Sequence, residues 1–189
     1  MRFLKRLAIG LALLLAAAMT VVWMQPDDYR VTRSTEIVAP LPAVFARVND
    51  LRQWESWSPW AKLDPNAKIT FTGPQAGVGA SFAWDGNDKV GAGTMSIIES
   101  KTDERIATRT DFVKPFEGTS RSDFLFFDDR GAPDVPESWQ RGHTRVIWSM
   151  SGQQSFIGKA ICLVMNMERM LGPDFERGLA QLKQVSEAK

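Results

Sequence analysis

The residues from Ser155 to Lys189 constrain the fold of this chain more than any other stretch. From Phe156 to Leu171 the pattern is apolar around most of a helical circumference, with Ile157, Ala160, Ile161, Leu163, Val164, Met165, Met167, Met170 and Leu171. From Asp174 it turns amphipathic: Phe175, Leu179 and Leu182 fall at helical spacing, with Glu176, Arg177 and Lys183 turned away. A helix apolar on most sides must be surrounded, and strand-like runs fill the chain before it. The combination predicts a curved sheet wrapped round a long terminal helix, an α+β arrangement. Pro173 cannot donate to the carbonyl of Arg169, which predicts a kink or a fresh start there, with Asp174 near the new N-terminus. In the first half, Lys159, Asn166 and Arg169 share one narrow sector suited to water. The broad apolar remainder is suited to closing one end of a cavity or leaning on a membrane, as a gate would.

The N-terminus carries a second strong pattern. Arg2, Lys5 and Arg6 precede an apolar run from Leu7 to Met24 whose one clearly polar residue is Thr20. A run of this length spans about 27 Å as a helix, close to a bilayer core, and Trp23 sits where interfacial aromatics belong. An uncleaved signal anchor over residues 1–24 is favoured. The alternative is a secreted chain cut near Ala16-Ala17-Ala18, but a signal peptide has a shorter apolar region. Basic residues before the span, with Asp27 and Asp28 after it, predict a cytoplasmic N-terminus. In a Gram-negative source the protein would then be a single-pass inner-membrane protein with a periplasmic domain. Residues 25–28 form a very short linker, and 29–189 form the domain.

Within the domain, Tyr29 to Val38 alternates as a strand, and Pro42 suits the first turn of a helix containing Val44, Phe45 and Val48. Asn49 to Trp60 reads as a short helix ending in an aromatic corner of Trp54, Trp57 and Trp60. Those rings either cap one end of the core or line a pocket mouth. Further strands are expected over Ile69–Thr72, Gly79–Trp84, Thr94–Glu99, Arg105–Val113, Thr119–Phe127 and Arg145–Ser151, with hairpin chemistry at Asp85-Gly86-Asn87-Asp88. Gly91-Ala92-Gly93 lacks the ending and the following helix of a phosphate loop and fits a sharply bent strand. Arg130 to His143 reads as a long polar loop.

Composition narrows the chemistry. Without its first 24 residues the chain has 20 basic and 22 acidic side chains, a net charge of −2. That balance argues against nucleic-acid binding, which needs a basic surface. Seven Trp and eleven Phe stand against one Tyr, one His and one Cys, so apolar aromatics are plentiful and common catalytic side chains scarce. Cys162, inside the apolar helix, reads as a buried small hydrophobe, and no multi-Cys metal site is possible. His143 lies at a loop end, where solvent exposure is expected. No Ser/His/Asp order, paired carboxylates or metal-ligand cluster is legible. No metal or cofactor is expected, and enzyme activity is left open.

Several motifs run through the domain: Asn49-Asp50 with Trp54 and Trp57-Ser58-Pro59-Trp60, Gly77-Val78-Gly79-Ala80 leading to Trp84, and Gly86 to Gly93. Lys114-Pro115-Phe116, Trp148-Ser149-Met150 and Gly172-Pro173-Asp174-Phe175-Glu176 continue them. With these motifs the sequence resembles, over about Tyr29 to Val185, the bacterial polyketide cyclase/dehydrase-like branch of the SRPBCC (START-like) superfamily. The resemblance implies a helix-grip fold, in which a seven-stranded antiparallel sheet grips the C-terminal helix around a hydrophobic cavity. Phe82, Trp84, Met95, Ile97, Phe124, Trp148 and Met150 would then face Met167, Leu171 and Phe175, with Trp57 and Trp60 at the mouth. A packed core of the same residues is the competing reading. The expected function is binding of a hydrophobic small molecule, such as a lipid, quinone or polyketide-like compound. The alternative is a cyclase or dehydrase acting on such a compound, for which Arg121 and Glu99 are the weak catalytic candidates. A protein partner, with the 130–143 loop and its Trp139 as contact, is a third possibility that the residues do not specify.

Overall fold

A computed structural model describes residues 2–128, 142–153, 158–160 and 167–188. Most of the apolar half-helix before Met167, including Cys162, lies outside the described residues, as do the polar loop as far as Arg141 and its Trp139. The elements run α1 (Arg2–Trp23), β1 (Asp28–Ile37), α2 (Leu41–Asn49), a 3₁₀ helix (Leu51–Ser56), β2 (Lys68–Thr72) and β3 (Ser81–Asp85). After these come β4 (Ala92–Lys101), β5 (Arg105–Lys114), β6 (Gly118–Asp128), β7 (Thr144–Gln153) and a terminal helix, here α3 (Met167–Glu187). The strands form one seven-stranded sheet, ordered β1-β7-β6-β5-β4-β3-β2 and antiparallel at each pairing. This is the expected α+β helix-grip architecture, preceded by one apolar helix.

Alternation along the strands decides which face closes on the helix. In β7, Val146, Trp148 and Met150 are buried, and register places Val31 opposite Met150 and Phe124 opposite Trp148. These residues share the concave face with Ile106 and Ile97, and α3 sets Phe175, Leu179 and Leu182 into it, all at most 1% exposed. Each such side chain contributes about 1.5–3 kcal/mol by leaving water. The polar edge of α3 is fastened along β1. Arg33 binds Glu168 and Glu176, Lys183 donates to the Glu36 carbonyl, and the Val38 N–H donates to Glu187. Pro42 is spent in the first turn of α2, where its missing N–H has no intrahelical acceptor.

Three expectations change. No fresh helical start occurs at Pro173, because α3 is one helix from Met167 to Glu187 with Pro173 inside it. Pro173 and Arg169 are both exposed. His143 is buried rather than exposed, at 2%. Gly142 has φ +119 and its Cα face lies against the Pro40 backbone, a turn that tucks His143 under the start of β7. Lys159, expected to meet water, is buried at 7% and paired with Asp27 of the linker. The ion pair ties residues 158–160 to the point where the chain leaves α1.

α1 has 22 residues, about 33 Å of helix, and its apolar side chains are largely exposed within the protein. The span Phe3–Trp23 is long and apolar enough to cross a membrane or to serve as a signal sequence. Val22 is the exception, buried at 8%.

Candidate functional site

The concave face has a closed end and a less closed side. At the closed end, the Trp148 ring stacks on Phe175 at 3.9 Å and on Phe124 at 5.1 Å. Trp57 meets both Trp148 and Phe124 edge to face. The tryptophan N–H groups of the aromatic corner find fixed acceptors: Trp54 Nε1 donates to the Val48 carbonyl, Trp57 Nε1 to the Arg47 carbonyl and Trp60 Nε1 to Asp174. The corner thus joins α2, the sheet and α3. Of the sequence-predicted ligand residues, Trp57, Phe124, Trp148 and Phe175 therefore pack on one another, and Trp60 seals their edge at 5.8 Å from Trp148.

Toward the β2 edge of the sheet, Phe71, Phe82, Trp84 and Phe112 form a second chain of ring contacts at 5.7–6.0 Å. Register puts them on the same concave face, with Phe71 opposite Phe82, Phe82 opposite Met95, and Gly93 opposite both Trp84 and Phe112. Gly93 is required there, since a Cβ would lie 2.6 Å from the Trp84 ring. Unlike the closed end, this side keeps apolar surface open: Phe71 is 39% exposed and Ile69 47%. Arg52, from the 3₁₀ helix, lies over the Phe71 ring at 5.1 Å. Met167 and Leu171 are half-buried at the start of α3.

Between the two aromatic groups the concave face is floored by Met95, Ile97 and Met150 together with four hydroxyls, Thr108, Thr110, Ser120 and Ser122, all buried. The hydroxyls were not among the expected site residues. Their signal was present in the alternation of β5, where Thr108 and Thr110 share parity with Ile106 and Phe112.

Arg121 and Glu99 lie on the opposite, convex face. Arg121 binds Asp123 and Glu99, and Arg105 binds Asp123 at 2.6 Å. They form a structural ion cluster and do not face the concave side. A depression of about 660 Å³ opens nearby, lined by Arg30, Arg109, Arg121, Ser151 and the start of β1. Two of its arginines, Arg109 and Arg121, are already engaged by Asp111 and Asp123. Among the described residues no group of His, Cys, Asp and Glu is placed to hold a metal.

Burial would raise the Asp123 pKa, but hydrogen bonds and charge from Arg121 and Arg105 outweigh it and hold the carboxyl below its ordinary value. Hydrogen bonds from Arg109 and Thr119 lower Asp111 likewise. Both groups have folded pKa values below the unfolded ones, so their stabilisation is present above the unfolded pKa and lost as pH falls through the folded one. In Asp123→Asn the unfolding midpoint should fall less steeply with acid below about pH 4 than in the wild type. Equal slopes in a urea titration series would show that the cluster contributes no linkage.

No protein-family profile matches the chain, and no curated protein matches it. Solved structures do. The di-domain ARO/CYC BexL from the BE-7585A biosynthetic pathway aligns with TM-score 0.58 at 15% identity, over 99% of this chain and 60% of its own length. Protein MLL2253 from Mesorhizobium loti aligns with TM-score 0.56 at 14% identity, over 83% of this chain and 96% of that one. The Aha1 dimer from Colwellia psychrerythraea aligns with TM-score 0.55 at 12% identity, over 84% and 96%. At these identities the likeness is one of fold alone, the gripped-helix arrangement described above.

Proposed function

We propose that the chain is a membrane-anchored binding protein for a hydrophobic small molecule held on the concave face of the sheet, beside α3. The observation that carries this reading is the chain of rings Phe71, Phe82, Trp84 and Phe112. It leaves apolar surface open on the face that the fold otherwise turns inward, with Phe71 39% exposed. Apolar burial at about 25 cal/mol per Å² would drive binding there, and Met95 and Met150 adapt to differing ligand shapes. Tethering supports the reading: four residues separate Trp23 from β1, a reach of at most about 17 Å. A ligand held this way would be drawn from, or delivered to, the bilayer in which α1 is seated.

A cyclase-type enzyme, the other reading that the resemblance allows, needs an acid–base group facing the ligand. Among the described residues the concave face offers hydroxyls, the Tyr29 phenol and Arg33, which Glu168 and Glu176 already hold, and neither Arg121 nor Glu99. The binding reading therefore stands ahead. Native mass spectrometry of the full chain, taken from its own membranes in mild detergent, should show a co-purified hydrophobic adduct. Phe82→Asp should reduce that adduct severalfold. Repeated preparations of folded protein without any adduct would overturn the proposal.

A further inference from the structure

The β5–β6 hairpin carries an apolar tip that packing within the domain does not use. Among the described residues outside α1 and the link after it, Phe116 is the most exposed large apolar side chain, at 66%, and Val113 is 58% exposed. Pro115 between them is exposed as well. Turns are ordinarily filled by polar residues, glycine and proline. The β4–β5 turn at the opposite end of the sheet obeys this, with Lys101, Thr102, Asp103 and Glu104. A lone exposed apolar residue needs no explanation, but two flanking a proline at one projecting tip form a wedge.

Register shows where the wedge points. Tyr29 lies opposite Gly152, Gly152 opposite Ser120, and Ser120 opposite Thr110, so one row crosses β1, β7, β6 and β5. Past that row β1 ends at Asp28 and leads back to α1, and β5 and β6 run on to their tip in the same direction. At about 3.3 Å per residue the tip stands about 10 Å beyond the row, and at about 4.8 Å per strand it stands about 12 Å to the side of β1. The four residues between Trp23 and β1 reach at most about 17 Å. Asp27 among them is held by the buried Lys159, which ties the link to the domain. The end of α1 and the hairpin tip therefore project from the same end of the sheet, within reach of one plane.

Charge decides how such a tip meets a membrane. Lys114 is paired with Asp85 and Arg109 with Asp111. Glu117 adds an acid at the tip, and Arg30 adds a cation in the groove beside the link. No basic excess gathers there of the kind that binds anionic lipid. We propose that the Val113–Phe116 tip is a second membrane contact, inserted as an apolar wedge into the bilayer interface beside α1 and fixing the tilt of the domain. What the wedge recognises is the apolar boundary below the headgroups, where interfacial aromatic and aliphatic side chains sit about 5–10 Å deep, and not the charge of the lipid. This rests on the anchoring by α1 proposed above and is independent of what the concave face binds.

The test uses the full chain in lipid nanodiscs, with Cys162→Ala so that one introduced cysteine carries a nitrobenzoxadiazole fluorophore. The label is placed at Glu117→Cys, beside the tip, or at Lys101→Cys, at the far end of the sheet. A fraction of the phosphatidylcholine carries a nitroxide quencher near the top of its acyl chain. The tip label should be quenched severalfold more than the far label. Phe116→Asp in the same labelled chain should bring the two to one level at an unchanged melting temperature, and Phe116→Ala serves if the aspartate variant melts lower. Adding phosphatidylglycerol should leave the tip signal as it was. Equal quenching of the two labels with Phe116 in place overturns the inference while leaving the anchor intact. So does quenching that persists without Phe116 or that requires phosphatidylglycerol, and so does a lowered melting temperature in both variants, which would place Phe116 in the fold. A chain that does not enter the discs removes anchor and wedge together.

Discussion

Phe175→Ala is expected to destabilise the domain by about 3–5 kcal/mol, the range for deleting a buried aromatic ring. Phe175 is fully buried and stacks on Trp148 with the planes 8° apart; such pairs add about 0.5–1.5 kcal/mol beyond area burial. The substitution opens a hole where α3, the aromatic corner and β7 meet, and Trp60, on the edge of that hole, is held in place by its hydrogen bond to Asp174. Against a total stability of about 5–15 kcal/mol this is a large share. Urea unfolding followed by tryptophan fluorescence should show a lower midpoint at unchanged slope. Phe116→Ala, at a position 66% exposed, is the control and should stay within about 0.5 kcal/mol. A Phe175→Ala midpoint as close to the wild type as the control would mean that the helix is not held by its aromatic stack.

The second large effect is expected at α1. Replacing Leu13 and Leu14, at the centre of Phe3–Trp23, by arginine costs about 2.5–3.5 kcal/mol each in membrane insertion. The doubly substituted chain should leave the carbonate-washed membrane fraction in which the wild type stays. Intact mass of the membrane-bound wild type should retain the N-terminal residues, and protease added to spheroplasts should digest the domain. A mass that begins after Ala18 would replace the anchor with a cleaved signal. A domain protected until lysis would reverse the orientation.

The aromatic corner shows how far a linear reading reaches. Trp54, Trp57 and Trp60 at steps of three predict a cluster, and a cluster forms. Whether it lines a mouth or fills a core depends on Phe124, Trp148 and Phe175, which come from β6, β7 and α3. Arg121 and Glu99 make the same point about faces. Period-two alternation divides a strand into two sets but does not say which set turns inward when both contain polar residues. The register irregularity between Ile97 and Glu99 changes the parity of β4 midway, so Glu99 joins Arg121 and Asp123 on the convex side.

Local signals were sufficient for most of the architecture. Alternating runs, turn residues, the early proline of α2 and the apolar stripe of the terminal helix each act over a few residues, and they determined the strands, the hairpins and the helix that the sheet grips. The apolar N-terminal run likewise depends on nothing distant. What tertiary structure alone decided was occupancy of the concave face. Strand register brought Thr108 and Thr110 against Ser122 and Ser120, separated the packed rings from the open ones, and buried His143 and Lys159 where the sequence suggested water. Burial and hydrogen-bond satisfaction are properties of what lies across a strand or helix. That is why the terminal helix was legible as an object to be gripped, while the polar floor beside it became visible only in the fold.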